Sequence, residues 1–310
     1  MKVLLTGAAG QLGQALLASR PEGVQLISCT RAELDLANSE ACRAAVASHR
    51  PDWLLNAGAY TAVDRAESES ELAQAVNAGA PAAFAEALAQ TGGRMLQIST
   101  DFVFDGRQGS PYLPDQGLSP LGVYGATKAS GERAVLEALP LGRRAVLRTS
   151  WVYGPGGQNF LLTMLRLHRL KAAAGEPLGV VADQVGCPTS TAGLAQACWR
   201  LIERFGKPVL AGDSELAVEP DLLPSVWHWS DAGAASWYDF AVAIGELAVA
   251  AGLLEKAAQV RPITTAVYPT PAQRPGYSLL DCTTTRELLE MPPIHWRQAL
   301  GQVIDQLKKA

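Results

Sequence analysis

Val3-Leu4-Leu5-Thr6-Gly7-Ala8-Ala9-Gly10-Gln11-Leu12-Gly13 is the stretch that decides how the rest of the chain is read. Three apolar residues, suited to a buried strand, run directly into glycines at positions 7, 10 and 13, and residues 11–18 have helical composition. A backbone can approach a bulky anion closely only where side chains are absent. The N-terminus of the helix that follows supplies oriented N–H groups for that anion. Strand, glycine turn and helix in this order predict a phosphate-binding turn, with Gly7, Gly10 and Gly13 around a pyrophosphate. The spacing departs from the G-x-G-x-x-G dinucleotide fingerprint.

Outward from this turn, short apolar runs alternate with helical patterns. Residues 24–29, 53–56, 95–99 and 145–148 read as further strands. Residues 39–49, with Asn38 or Ser39 as N-cap, then 69–78, 81–90 and 123–138 read as helices, and residues 105–119 as a loop. The alternation predicts an α/β protein with a Rossmann-type doubly wound parallel sheet. Beyond Trp151 the rhythm breaks. Helices are expected over 159–174, 192–205, 237–251 and 296–308, a loop over 213–224, and extended or turned chain over 262–275, which holds four prolines. The expected organisation is a cofactor domain over 1–153, completed by parts of 178–235. A smaller C-terminal substrate-binding part comprises 154–177 and 236–310.

The net charge of −4 offers no field for a phosphate backbone, so nucleic acid is not an expected partner. Five scattered cysteines, odd in number and without a C-x-x-C pair, suggest reduced thiols rather than zinc or disulfides. The apolar start ends at Thr6-Gly7, too early for a signal peptide, and no apolar run suits a bilayer span. A cytoplasmic protein without membrane partners is expected, monomeric or homodimeric.

Cys29-Thr30-Arg31 ends the second strand, where a protein selective for NAD usually places an acidic residue for the ribose hydroxyls. Thr30 and Arg31 offer a hydroxyl and a guanidinium instead, and no carboxylate follows until Glu33. That pattern points to the 2′-phosphate of NADPH, with NADH also accepted. Asp35 and Leu36 border the adenine in this reading, and Ala59, Tyr60 and Thr61 lie along the cofactor's path.

Tyr124-Gly125-Ala126-Thr127-Lys128 puts a phenol and an ammonium four residues apart, on one helix face. A phenol titrates near pH 10, too high for easy proton exchange, and an adjacent cation is expected to lower it. Ser99-Thr100-Asp101 ends the preceding strand at the carboxyl edge, where such sheets carry their sites, and brings a hydroxyl towards Tyr124.

These residues resemble the extended short-chain dehydrogenases/reductases, and within them the dTDP-4-dehydrorhamnose reductase family. The resemblance spans nearly the whole chain. Its blocks are the Gly7-to-Gly13 turn, NAGAYTAVDRAE (56–67), STDFVFDG (99–106), SPLGVYGATKASGE (119–132), RTSWVYG (148–154), Asn159-Phe160, DQVGCPT (183–189) and YPTPAQRPGYS (268–278). It implies that Gly10, Gln11 and Leu12 contact the pyrophosphate and that Thr100, Tyr124 and Lys128 are catalytic, with Tyr124 and Lys128 also touching the cofactor. It further implies that Thr100, Asp101, Trp151, Asn159, Gln184 and Arg274 meet a nucleotide-sugar substrate. For the last three residues a helix cap, a polar loop residue and a surface charge stand as the plainer readings, and Trp151 is equally readable as a core aromatic. Some members bind Mg2+ through a glutamate in the first helix, where this chain has Ala15, so no metal is expected. The stretch 213–225 is longer than usual for the family. Two other readings share the fold: a nucleotide-sugar epimerase or dehydratase, which regenerates its cofactor, and a non-catalytic regulatory subunit.

Overall fold

Short apolar runs become the strands of one parallel sheet. These are β1 (Lys2–Thr6), β2 (Gln25–Cys29), β3 (Trp53–Asn56), β4 (Arg94–Thr100) and β5 (Arg144–Thr149), with Val226–Trp229 as the sixth. The computed structural model describes residues 1–206, 209–211, 214–218 and 223–309. The order across the sheet is Val226–Trp229, β5, β4, β3, β1, β2, all parallel. Side chains alternate between faces as a pleat requires. Val3 and Leu5 join Trp53 and Leu55 in one apolar layer, while Leu4 and Leu54 join the opposite one.

Helices cover both faces. On one side α1 (Gln11–Ala18) contributes Leu12 and Leu16 to a core shared with Leu194, Cys198 and Ile202 of α8 (Thr191–Gly206). On the other, Val46 of α2 (Ser39–His49), Phe84 of α5 (Ala80–Thr91) and Val135 of α6 (Val123–Ala138) pack on Leu4, Leu54 and Met95. The chain leaves β1 towards β2 on one side and returns to β3 on the other. This reversal opens the crevice over the glycine turn in which such sheets bind ligands.

Between α3 (Val63–Ala66) and α5, the expected pair of helices 69–78 and 81–90 forms one continuous helical run. α4 (Ser70–Gln74) passes into a π-turn (Ala75–Gly79) and then into α5. The Ala80 N–H donates to the Ala75 carbonyl, five residues back. Pro81 lacks an N–H, and the widened turn before it absorbs the missing bond, so the proline does not end the helix.

The C-terminal half builds a second core. Leu161 and Met164 of α7 (Phe160–Ala174), Phe240 and Ile244 of α9 (Trp237–Ala250), and Leu300 and Ile304 of α11 (Trp296–Lys309) meet there. A parallel strand pair, Leu178–Val181 with Val260–Ile263, borders it. The proline-rich expectation for 262–275 thus begins as a strand and continues through a 3-10 turn at Thr265–Val267. An unanticipated helix, α10 (Thr283–Leu289), returns to the sheet, and Leu289 and Met291 join its first core. The loop reading of 213–224 is corrected for Ser214–Val218, a strand antiparallel to Val209–Ala211 whose pairing satisfies backbone groups that a loop leaves to solvent. Residues 213 and 219–222 of that stretch lie outside the described residues. Among the described residues no helix is long and apolar enough to cross a membrane.

Candidate active site

The glycine turn has the geometry that close approach to a phosphate needs. Gly7 sits at φ +67°, and a Cβ on Gly13 would fall 2.2 Å from the Gly7 carbonyl oxygen, so α1 can begin this near the turn only with glycine there. Gly10 is the N-cap, without a side chain over the free N–H groups of α1. A pocket beside the turn is lined by Gly7, Arg31, Leu34, Asp35, Leu36, Gly58, Ala59 and Tyr60. Apolar walls, a guanidinium and a carboxylate fit an adenosine half of a dinucleotide, which the turn would hold by its diphosphate.

At the end of β2 the structure adds a group the sequence reading set aside. The Glu33 carboxylate folds back to accept both the N–H and the hydroxyl of Thr30, at 2.7 and 2.8 Å, and these bonds hold its pKa below the usual range. Thr30 is therefore engaged with a carboxylate, while Arg31 is exposed and forms no ion pair among the described residues. Asp35 caps the next turn through the Ala37 N–H at 3.1 Å, and Thr61 accepts from the Val63 N–H.

A buried polar chain crosses the carboxyl edge of the sheet. The Thr6 hydroxyl accepts the Gly58 N–H at 3.3 Å and donates to Asn56 Oδ1 at 2.5 Å. Asn56 Nδ2 donates to Gln97 Oε1 at 2.7 Å, and Gln97 Nε2 donates to the Ile98 carbonyl at 2.7 Å. That carbonyl also accepts Lys128 Nζ, at 2.6 Å. Glycine turn, central strands and the ammonium of α6 are joined without an unpaired amide.

Thr100 and Tyr124 are brought together by α6. A Cβ on Gly125 would lie 2.1 Å from the Phe102 carbonyl oxygen, so glycine after Tyr124 lets the helix press onto the turn Asp101–Val103. Phe102 meets the Tyr124 ring edge-on at 5.6 Å. Thr100 Oγ1 donates to Asp101 Oδ1 at 3.0 Å, and Asp101 Oδ2 is buried without a hydrogen-bond partner among the described residues. Burial raises the Asp101 carboxyl to about 6, against the opposing effect of the Ser278 and Thr100 side chains.

The expectation that Lys128 lowers the Tyr124 phenol is corrected. Burial pushes the phenol up to about 12, the Thr100 side chain pulls it down, and the Asp101 charge raises it again. Lys128 is itself lowered to about 8, by burial first, with Glu132 opposing. Its ammonium is held by the Ile98 carbonyl, two strand residues before Thr100.

The residues expected to meet a substrate are placed as follows. Trp151 follows β5, whose Thr149 is in register with Thr100, and its indole stacks on Trp237. Gln184 donates to Thr265 Oγ1 and accepts from Trp237 Nε1, both at 3.1 Å. Asn159 caps α7 through the Leu162 N–H at 3.0 Å, and its Nδ2 donates to Gln11 Oε1 at 2.8 Å. It thereby ties the second half of the chain to the glycine turn. Arg274 pairs with Asp64 rather than standing free: Nη2 to Oδ2 is 2.8 Å.

Three contributors escaped the sequence reading. Asn77, in the π-turn, accepts the Tyr60 N–H at 2.9 Å and donates to the Tyr60 carbonyl at 3.1 Å and to Thr127 Oγ1 at 3.2 Å. It links the loop after β3 to α6 between Tyr124 and Lys128. Glu132 and Arg148 form a buried ion pair at 2.8 Å that pins α6 to β5, and Arg148 Nη1 lies 3.3 Å from His228 Nε2. Trp237 is the third. An Asn inside a helix and a Glu four residues after Lys128 were visible signals, but their partners are distant in sequence.

A parallel sheet in this order, with a hydroxyl, a phenol and an ammonium gathered at its carboxyl edge, is the arrangement of a nicotinamide-dependent short-chain oxidoreductase. The profile of the family described as RmlD substrate binding domain matches residues 1–309, and the chain belongs to that family. It is 37% identical over 304 residues to a dTDP-4-dehydrorhamnose reductase of Aggregatibacter actinomycetemcomitans, covering 97% of this chain and 98% of that one. Among solved structures, the dTDP-4-dehydrorhamnose reductase of Clostridium acetobutylicum superposes with a TM-score of 0.86 at 34% identity, covering 99% and 100% of the two chains. The Bacillus anthracis enzyme, solved in complex with NADP, gives a TM-score of 0.84 at 31% identity, covering 98% and 99%.

Proposed function

We propose that this protein reduces the C4 keto group of dTDP-4-dehydro-6-deoxy-L-mannose with NADPH, giving dTDP-L-rhamnose. The observation that carries the reading is the placement of Thr100, Tyr124 and Lys128 at the carboxyl edge of β4 and on α6, in a chain of this family. Bound NADPH supplies the hydride that reaches the C4 carbon.

Gly7 to Gly13 hold the diphosphate, while Asp35, Leu36, Ala59, Tyr60 and Thr61 line the adenosine and ribose. Thr100 hydrogen-bonds the carbonyl oxygen, and Tyr124 gives its phenolic proton to that oxygen as the new hydroxyl forms. A phenol pushed up by burial stays protonated at neutral pH and so carries the proton the new alkoxide takes. The Lys128 ammonium, one helical turn from Tyr124, would hydrogen-bond the nicotinamide ribose. Trp151, Gln184, Asn159 and Arg274 belong to the sugar-nucleotide side in this reading. Residues 1–153 with parts of 178–235 act as the cofactor half, and the rest mainly as the substrate half.

The direct test follows NADPH and NADH absorbance with enzymatically generated dTDP-4-keto-6-deoxy-L-mannose. Turnover with the wild type is expected, and Tyr124→Phe should lower kcat roughly 10²-fold or more, as for a lost general acid. NADPH affinity should be nearly intact. Near-wild-type turnover in that variant removes Tyr124 from the mechanism. Tightly bound NAD with no net NADPH oxidation would assign the protein to the epimerases or dehydratases instead.

A further inference from the structure

Trp151 adopts a left-handed backbone, φ +47°, which a residue with a bulky side chain keeps only where its surroundings force it. Those surroundings are specific. Its indole stacks face to face on Trp237, with ring centroids 3.5 Å apart and planes 6° from parallel. The bridge strand at Gly186 runs so close to the ring that a Cβ there would lie 2.6 Å from Trp151 Cε2. Trp237 opens α9 and is fixed in turn. Ser236 and Asp239 form a reciprocal capping box at that helix start, and Phe160 packs on the Trp237 ring at 4.6 Å.

Trp237 also orients an amide. An indole N–H is only a donor, so the Gln184 atom 3.1 Å from Trp237 Nε1 has to be its oxygen. The Gln184 nitrogen then faces Thr265 Oγ1, also at 3.1 Å, and that hydroxyl donates to Asp183 at 2.7 Å. One of the two amide N–H groups is used there, and the other is left to donate elsewhere. Gln184 is 6% exposed, so that remaining donor lies in a nearly dry setting where an oxygen partner counts for more.

We propose that Trp237 is a positioning residue for the sugar nucleotide. Its ring locks Trp151 as a flat wall, and its N–H turns Gln184 so that it presents a donor to an acceptor oxygen of the sugar. The inference rests on the substrate reading given above for Trp151 and Gln184. It separates sugar affinity from dinucleotide affinity, because none of these contacts reaches the glycine turn.

Two variants divide the roles. Trp237→Phe keeps an aromatic partner and removes the N–H; Trp237→Leu removes both. Calorimetric titration with dTDP-glucose, a stable probe that is not turned over, should show affinity falling about threefold to tenfold in Trp237→Phe. The loss should be larger in Trp237→Leu, with NADPH affinity unchanged in both. The far-ultraviolet circular dichroism couplet of the stacked indoles should be present in the wild type and absent in both variants. Should Trp237→Leu not fold, Trp237→Phe decides alone. Unchanged dTDP-glucose affinity in a folded variant, or an equal fall in dTDP-glucose and NADPH affinity, overturns the proposal. A wild type that binds dTDP-glucose but reduces no 4-keto sugar nucleotide would defeat the activity reading and leave this one to the titration.

Discussion

Arg274 and Asp64 face each other through two contacts, Nη2 to Oδ2 at 2.8 Å and Nη1 to Oδ1 at 3.1 Å. The guanidinium comes from the proline-rich loop of the second half, and the carboxylate from α3, just beyond the cofactor loop. The bond holds the Asp64 carboxyl below its usual range. If the same guanidinium serves a diphosphate, Asp64 competes for it. Arg274→Ala should then raise KM for the sugar nucleotide roughly tenfold or more, as expected for a lost bond to a charged group, with KM for NADPH little changed. Asp64→Asn should lower KM for the sugar nucleotide by freeing the guanidinium. Steady-state kinetics on both variants decide the matter. Parallel rises in both constants would make the pair a strut between the two halves.

Cofactor preference turns on two opposed charges at the end of β2. In the proposed cofactor site Arg31 would attract a 2′-phosphate, and Glu33, held against Thr30, would repel it. We expect NADPH to bind more tightly than NADH. Arg31→Ala should weaken NADPH by about tenfold or more and leave NADH nearly untouched. Glu33→Gln should strengthen NADPH by about twofold to fivefold, the scale of an exposed charge contact. Equal affinities for the two dinucleotides in the wild type would take Arg31 out of the phosphate site.

The basic limb of the activity profile should report Lys128. Burial brings its ammonium to about 8, and the charged form is the protonated one. The charge-assisted hydrogen bond it would give the nicotinamide ribose is therefore present on the acid side and lost as pH rises through about 8. A plot of kcat/KM against pH should fall about tenfold per unit above that point. A profile level to pH 10 would show that the charge on Lys128 is not needed.

Asp101 gives a stability prediction of definite sign. Its folded-state value, raised to about 6 by burial, lies above the ordinary carboxylate value, so folding favours the protonated form. That contribution is fully present below about pH 4 and is lost as pH rises to about 6. Near pH 7 the wild type therefore carries a buried charge whose Oδ2 has no hydrogen-bond partner among the described residues. Asp101→Asn should be more stable at pH 7 by on the order of 1–3 kcal/mol, and the gain should vanish towards pH 4. Denaturant melts at the two pH values measure it, and a gain independent of pH would contradict the assignment.

Much of residues 1–153 was legible because its signals are local. Residues 53–56 and 123–138 are bounded in the structure as the sequence suggests, since a buried strand and an amphipathic helix declare themselves by period and by glycine or proline at their ends. The join across Pro81 was not legible, because a proline predicts an end and only the packing of Asn77 shows why the helix continues. α10 was hidden by its Thr283-Thr284-Thr285 start, a β-branched run that reads as strand or turn. In the candidate site, strand-end and i,i+4 logic singled out Thr100, Tyr124 and Lys128, which lie at the end of β4 and on α6. The partners of Arg274, Gln184 and Trp151 lie 210, 53 and 86 residues away, by subtraction of the positions of Asp64, Trp237 and Trp237, and no local pattern encodes such pairings.

The sixth strand, Val226–Trp229, pairs with β5 across a register that joins Val146 to Val226. During synthesis, β5 leaves the ribosome about 80 residues before the segment that covers it, the same separation that divides Arg144 from Ser225, which it hydrogen-bonds. For that interval the nascent chain carries a bare strand edge rich in Ala145, Val146 and Leu147, the kind of edge that recruits foreign strands. The molecule's hazard is therefore temporal. Chains stalled or cut between residues 150 and 225 would be the species that chaperones must hold and that accumulate in inclusion bodies, while the finished protein has that edge closed.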